Sequence, residues 1–298
     1  MKIPVSHFIS LPPNSDPVLY EIAVAEFASN GAKHMVAGTD IISLSMQEDG
    51  RDFIARIQAV MNSTGMTFRG AHSFWGAEWD LNQLDPALHE KVIANQKKVI
   101  DLAAEFNAGV LVIHPGDHQF AVGGDPAVSA LREQTIRTLE VLLPYAEKRE
   151  IRISLENIIA PSDSAAENLA VLEYFKSPSL VCCYDTGHAN VMEAASGKDP
   201  AKVCDYIRHT LWHDHLILDP EKTLERLAPY IVTAHVHDNS GYSDEHLLPG
   251  TGTIDWQDLT QRLEGCPNLE FVQNEVNRNR QRIPVREAVL CFDRLFNA

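Results

Sequence analysis

Gly109-Val-Leu-Val-Ile-His114 is the stretch that decides the fold. It is almost wholly apolar, the pattern of a strand buried on both faces, as in parallel sheets whose helices cover them. It stops at a histidine and a Pro-Gly turn. Working outward, the same short apolar run recurs upstream at Val5–Ser10, Lys33–Ala37 and Thr67–Ser73. Downstream it recurs at Ile151–Glu156, Leu180–Asp185, Ile231–His237 and Leu269–Glu275. Helical patterns fill the intervals: Asp16–Asn30, Arg51–Ser63, Asp85–Asn107, Asp125–Arg149, Ser164–Phe175, Asp255–Glu264 and Val285–Phe296. Lys198–His213 and Pro220–Pro229 read as helical pieces around a less regular stretch. Asp-Pro pairs open several of these helices, with Asp as cap and Pro in the first turn. Eight strands alternating with helices over 298 residues predict a (β/α)8 TIM barrel, read as one domain over residues 1–298. An open doubly wound sheet would carry a G-x-G-x-x-G after its first strand, and this chain has none there.

The strand ends carry the chemistry. Strand three ends at His72, strand four at His114, strand five at Glu156 and strand six at Asp185, followed by His188. Strand seven ends in His235 and His237, with Asp244 and His246 on the loop beyond, and strand eight ends at Glu275. In a parallel barrel all these ends share one face, where active sites are built. Side chains two apart on a strand point the same way, so His235 and His237 are expected on one side. An unpaired buried carboxylate costs several kcal/mol, and a cation relieves that cost. Gathered imidazoles and carboxylates therefore predict a divalent metal site.

Composition narrows the function. The formal net charge of −16, from 41 acidic and 25 basic residues, argues against a broad nucleic-acid surface. Five cysteines without C-x-x-C spacing fit reduced thiols rather than a disulfide frame. No apolar run is long enough to span a bilayer and no secretory leader is evident, so a cytoplasmic protein without membrane partners is expected.

With these residues in place, the chain resembles the xylose isomerase-like TIM barrel superfamily, which includes sugar phosphate isomerases and epimerases and the endonuclease IV branch, AP endonuclease family 2. The motifs are Ile113-His-Pro-Gly116, Leu155-Glu-Asn157, Tyr184-Asp-Thr-Gly-His-Ala-Asn190, His235-Val-His-Asp-Asn239, Asp244-Glu-His-Leu-Leu-Pro-Gly-Thr-Gly252 and Asn274-Glu-Val276. The isomerase and epimerase branch implies one divalent ion on Glu156, Asp185, His235 and Glu275. The endonuclease IV branch implies three zinc ions: His72 and His114 with Glu156 bridging, then Asp185, His235 and Glu275, then His188, Asp244 and His246. All nine residue types are present. The loop Ser6–Asn14 does not resemble the glycine-rich start of the endonuclease IV branch.

The resemblance therefore implies zinc or manganese, one to three ions, and a small sugar or sugar phosphate as substrate. The leading expectation is an isomerase or epimerase working through a metal-stabilised enediolate, with Glu156 and Glu275 as acid and base. A dehydratase would use the same enediolate. The alternative is a trinuclear-zinc phosphoester hydrolase. His188, His237, Arg278 and Trp75 are the candidate substrate-binding residues. The basic loop Asn277–Arg282 has an anion-binding reading and a solvated one. His209, His213 and His215 read as a lid or interface segment. A homo-oligomer is left open.

Overall fold

The computed structural model describes residues 2–12, 14–193, 198–214 and 222–297. The strands are β1 (Val5–His7), β2 (His34–Ala37), β3 (Thr67–His72) and β4 (Val110–Ile113), then β5 (Arg152–Glu156), β6 (Leu180–Asp185), β7 (Ile231–Val236) and β8 (Phe271–Asn274). Each pairs in parallel with its sequence neighbours, and β1 pairs with β8, closing the barrel. The (β/α)8 architecture expected from the alternation is the observed one.

The principal helices are α1 (Val18–Ser29), α2 (Thr39–Ser45), α3 (Gly50–Thr64), α4 (Pro86–Glu105), α5 (His118–Ala121) and α6 (Val128–Glu147). They continue with α7 (Ala165–Phe175), α8 (Thr186–Met192), α9 (Thr223–Leu227), α10 (Trp256–Glu264), α11 (Arg278–Gln281) and α12 (Val285–Phe296). Starts follow local chemistry. Asp85 accepts from the Ala87 and Leu88 amides, with Pro86 in the first turn of α4, and Asp255 accepts from Gln257 and Asp258 at the start of α10.

The helices bury their apolar faces on the outside of the barrel. Phe27, Ile57, Ile100, Leu139 and Phe292 pack in one core with outward strand residues such as Met35, Leu111 and Ile153. Inside, side chains stack in layers at two-residue steps along the strands. Val110, Val181 and Phe271 belong to a separate apolar cluster, four residues before His114, Asp185 and Glu275. Ser154, Thr233 and Gln273 lie two residues before Glu156, His235 and Glu275, fully buried, with Gln273 donating to Thr233. The apolar base thus gives way to a polar layer and then to the ionisable rim.

Several elements differ from expectation. The stretch read as a helix over Lys198–His213 holds a 3-10 turn at Pro200–Lys202 and a π-helical segment at Tyr206–Leu211. In the next piece, of which Pro220 lies outside the described residues, only Thr223–Leu227 is helical. Helices α2, α5, α8 and α11 are additions that are too short to show a helical period. β8 stops at Asn274, so Glu275 sits just past the ladder. No helix among the described residues is long and apolar enough to cross a membrane.

Candidate metal centre at the barrel mouth

Register places the rim. Glu156 lies beside Cys183, and Asp185 lies directly across from His235. Asn157 locks the tips of β5 and β6: its Nδ2 donates to the Asp185 carbonyl and its Oδ1 accepts from the Asp185 amide. Asp185 also caps α8, accepting from the His188 amide, so the same residue fixes both ladder and helix start.

Glu156 is the hub. It is 1% exposed. Its Oε2 lies 3.3 Å from His72 Nε2 and 3.2 Å from His114 Nε2. Its Oε1 lies 3.1 Å from His235 Nδ1 and 3.4 Å from His188 Nδ1. Each carboxylate oxygen therefore faces a different pair of imidazoles. His235 Nδ1 is also 3.1 Å from Glu275 Oε2 and 3.8 Å from Asp185 Oδ2.

Three groups of donor atoms converge, each within 4.8 Å: His72, Glu156 and His235; Glu156, Asp185, His235 and Glu275; and His188, His237, Asp244 and His246. In the third group Asp244 Oδ2 lies 3.4 Å from His188 Nε2 and 3.1 Å from His246 Nε2.

The residues fit a metal on two observations. First, His235 Nδ1 and Glu275 Oε2 are buried and close, yet neither is in hydrogen-bond geometry with any described partner. Lone pairs that face a common third point rather than each other produce this arrangement. Second, carbonyls set the tautomers. His72 Nδ1 donates to the Ser73 carbonyl, His188 Nδ1 to the Asn157 carbonyl and His246 Nδ1 to the Glu275 carbonyl. Each then turns Nε2 toward a rim carboxylate, Glu156 for His72 and Asp244 for His188 and His246, with the backing that metal-ligating histidines need.

Electrostatics agree. Burial disfavours charge on every group here, but the partners outweigh it. Glu156 beside His235 and His114, and Asp244 beside His188 and His246, are held well below the carboxylate range. Glu275 is likewise depressed, against burial, by His235. Burial lowers the histidines, yet Glu156 raises His114, Asp185 and Asp244 raise His188, and Cys183, Glu156 and Glu275 raise His235. His246 rises to about 9, against burial, through Asp244. Without ions, protons on the imidazoles balance the carboxylates.

The loop bearing Asp244 and His246 is held by the carboxylate that follows His237, a residue the sequence reading quoted within a motif but gave no role. Asp238, fully buried, accepts from the Gly250, Gly252 and Ile254 amides, from its neighbour Asn239 and from Trp256 Nε1. A Cβ at Gly252 would lie 2.3 Å from Asp238 Oδ1, so only glycine lets the loop close on this carboxylate. Phe8, just past β1, was also missed; its ring stands edge-on to His235 at 5.7 Å.

The candidate substrate-binding residues divide. Trp75 stands at the mouth, 57% exposed, stacked on His114 at 5.5 Å. His188 is 6% exposed, among the metal-facing groups. His237 is fully buried. Its Nε2 sits 3.1 Å from both Asp185 oxygens, and its ring stacks on His246 at 3.9 Å. It supports Asp185 and belongs to the third donor group, with its backbone bonded to the Thr186 hydroxyl at both amide and carbonyl. Arg278 also departs from expectation: its guanidinium lies over the Phe27 ring and donates to the Ile283 carbonyl, inside the helix layer. The arginine lining the mouth cavity with Glu275 and His246 is Arg280. His209 pairs with Asp205 and Asp214 at the surface, away from the donor clusters, while His215 lies outside the described residues.

Comparison with known proteins follows this geometry. A family model described as "Xylose isomerase-like TIM barrel" matches residues 24–269. An uncharacterized protein of Sinorhizobium fredii is 26% identical over 172 residues, 56% of this chain and 47% of its own length. An uncharacterized protein of Methanocaldococcus jannaschii is 27% identical over 189 residues, 60% of this chain and 55% of its own. The chain thus matches about half the length of these two relatives. Among solved structures, the 3-keto-D-glucoside 4-epimerase YcjR from E. coli superposes with TM-score 0.70 at 13% identity, covering 98% of this chain and 100% of that one. D-allulose 3-epimerase from Methylomonas sp. gives TM-score 0.72 at 15% identity, covering 99% of both. A protein from Mycobacterium smegmatis of the same description, in complex with magnesium, gives 0.63 at 14%, covering 99% of this chain and 97% of that one.

Proposed function

The chain belongs to the xylose isomerase-like TIM barrel family, and from that premise we propose that it is a divalent-metal-dependent hydrolase of phosphate esters. The observation that carries this reading is Glu156, both of whose oxygens are faced by imidazoles. A carboxylate so enclosed suits a bridge between ions and has no free oxygen for taking a proton from carbon. His72 and His114 would hold one ion with Glu156. Asp185, His235 and Glu275 would hold a second, and His188, Asp244 and His246 a third. When bound, ions at these positions supply Lewis acidity to a phosphate ester and make water acidic enough to attack it.

The chain's own residues do the rest. Asn157 and His237 hold Asp185 in place. Asp238 carries Asp244 and His246 to the rim by gripping their loop. Glu275, with 20% of its side chain exposed, lines the mouth cavity, and Asp244, with 32%, is the more open of the two rim carboxylates. Trp75 offers an apolar wall for the ester's organic part.

A second reading keeps the four-group cluster Glu156, Asp185, His235 and Glu275 as a single-ion site for a sugar isomerase or epimerase, with the two glutamates exchanging a proton. The likeness to sugar epimerases favours it. One experiment separates the two: incubation of the metal-loaded protein with a panel of sugar phosphates in D2O, followed by NMR. Release of inorganic phosphate in the 31P spectrum is expected. Deuterium entering a sugar C–H without phosphate release would overturn hydrolysis in favour of enolisation.

A further inference from the structure

The mouth opens sideways into a cavity of about 420 Å3 between the loops after β1 and β8. At one end lie Glu275 and His246, members of the metal-facing groups. Phe8 and Leu11 add apolar lining, and the exposed Arg280 lines the same cavity. Asn277 starts the turn by accepting from the Arg280 amide, which fixes where this side chain emerges. The guanidinium has no hydrogen-bond or ion-pair partner among the described residues. Arg51, Arg132, Arg152 and Arg262 each find a carboxylate. Asp40 lines the same cavity, and burial raises its carboxyl from the ordinary value against the neighbouring Tyr20 hydroxyl.

We propose that Arg280 binds a second anionic group of the substrate, remote from the reacting centre, so that the enzyme takes small molecules bearing a phosphate and a further carboxylate or phosphate. The inference rests on the metal-site reading for the first anionic group. A guanidinium donates two parallel hydrogen bonds to a carboxylate or phosphate, and a cavity of this size suits a small metabolite. Substrates lacking the second anion would leave Arg280 solvated and gain nothing from it, so the contact sets specificity rather than chemistry.

The test uses two probes without a hydrolysable ester, 3-phosphonopropionate and propylphosphonate, titrated calorimetrically into the zinc-loaded full chain. The wild type is expected to bind the carboxylate-bearing probe about tenfold more tightly. Arg280→Gln should bring that ratio close to one, Arg280→Lys should keep part of it, and Arg282→Gln should leave it whole. An unchanged ratio in Arg280→Gln, or no preference in the wild type, overturns the inference. Chelation separates the two claims. Propylphosphonate binding should vanish with the metal, and its persistence refutes the metal reading while the ratio still judges Arg280. Failure of both probes to bind the zinc-loaded wild type overturns both.

Discussion

Replacing Asp238 with asparagine should release the loop that carries the third group of donors. Asp238 Oδ2 accepts from Gly250 N at 2.9 Å, Gly252 N at 3.0 Å and Trp256 Nε1 at 2.9 Å. Its Oδ1 accepts from Asn239 N at 2.9 Å and Ile254 N at 3.2 Å. An amide must put a donor where one oxygen now accepts. The better orientation sacrifices Oδ1 and leaves two N–H groups facing an NH2. Each orphaned buried donor costs about 1–3 kcal/mol, and the surviving bonds lose their charge assistance, so the change totals roughly 3–6 kcal/mol. β7 stays in place through its ladders to β6 and β8. The cost therefore falls on the loop, where Asp244 and His246 lose their position. Elemental analysis of Asp238→Asn should show one ion fewer than the wild type, with hydrogen exchange accelerated over residues 239–255. Full ion content together with a wild-type denaturation midpoint would refute the role given to Asp238.

Two further outcomes follow from the same geometry. A Cβ at Gly187 would lie 2.0 Å from His237 Cε1, so Gly187→Ala should push this ring off Asp185 and off its stack with His246. Overpacking of that kind costs about 1–3 kcal/mol, and zinc affinity measured by competition with a chromogenic chelator should fall, while unchanged affinity would count against His237 as a support. The chelated protein should also lose thermal stability as pH rises. His114, His188, His235 and His246 have folded pKa values raised above the ordinary 6.5, so their contribution is fully present below that value and is lost as pH climbs through the folded one, about 9 for His246. Scanning calorimetry from pH 6 to 9 should show Tm declining without metal, and a flat profile would contradict the ion-pair account.

Much of this was legible in the chain because period and punctuation are local. Apolar runs ending in His72, His114, Glu156 and Asp185 gave strand positions, and parallel closure alone then brings those ends to one rim. What was not legible depends on turns of one or two residues. Arg278 and Arg280 sit on a four-residue helix, where residues two apart point about 200° from each other. Without that helix, the sequence cannot say which of them faces the mouth. His237 was placed beside His235 by strand alternation, but the ladder stops one residue earlier, and Thr186 grips the His237 backbone at both its amide and its carbonyl. Asp238 is ordinary in sequence. Its partners lie up to 18 residues away on a loop that must first fold back.

The most direct test of the central claim, that Glu156 bridges ions in a nine-ligand mouth, is the metal content of the unchelated protein by elemental analysis. The account predicts about three ions per chain, zinc being the ion suited to this histidine-rich set. A single tightly held ion, with no more taken up on adding metal back, would contradict it and leave Glu156, Asp185, His235 and Glu275 as a mononuclear site.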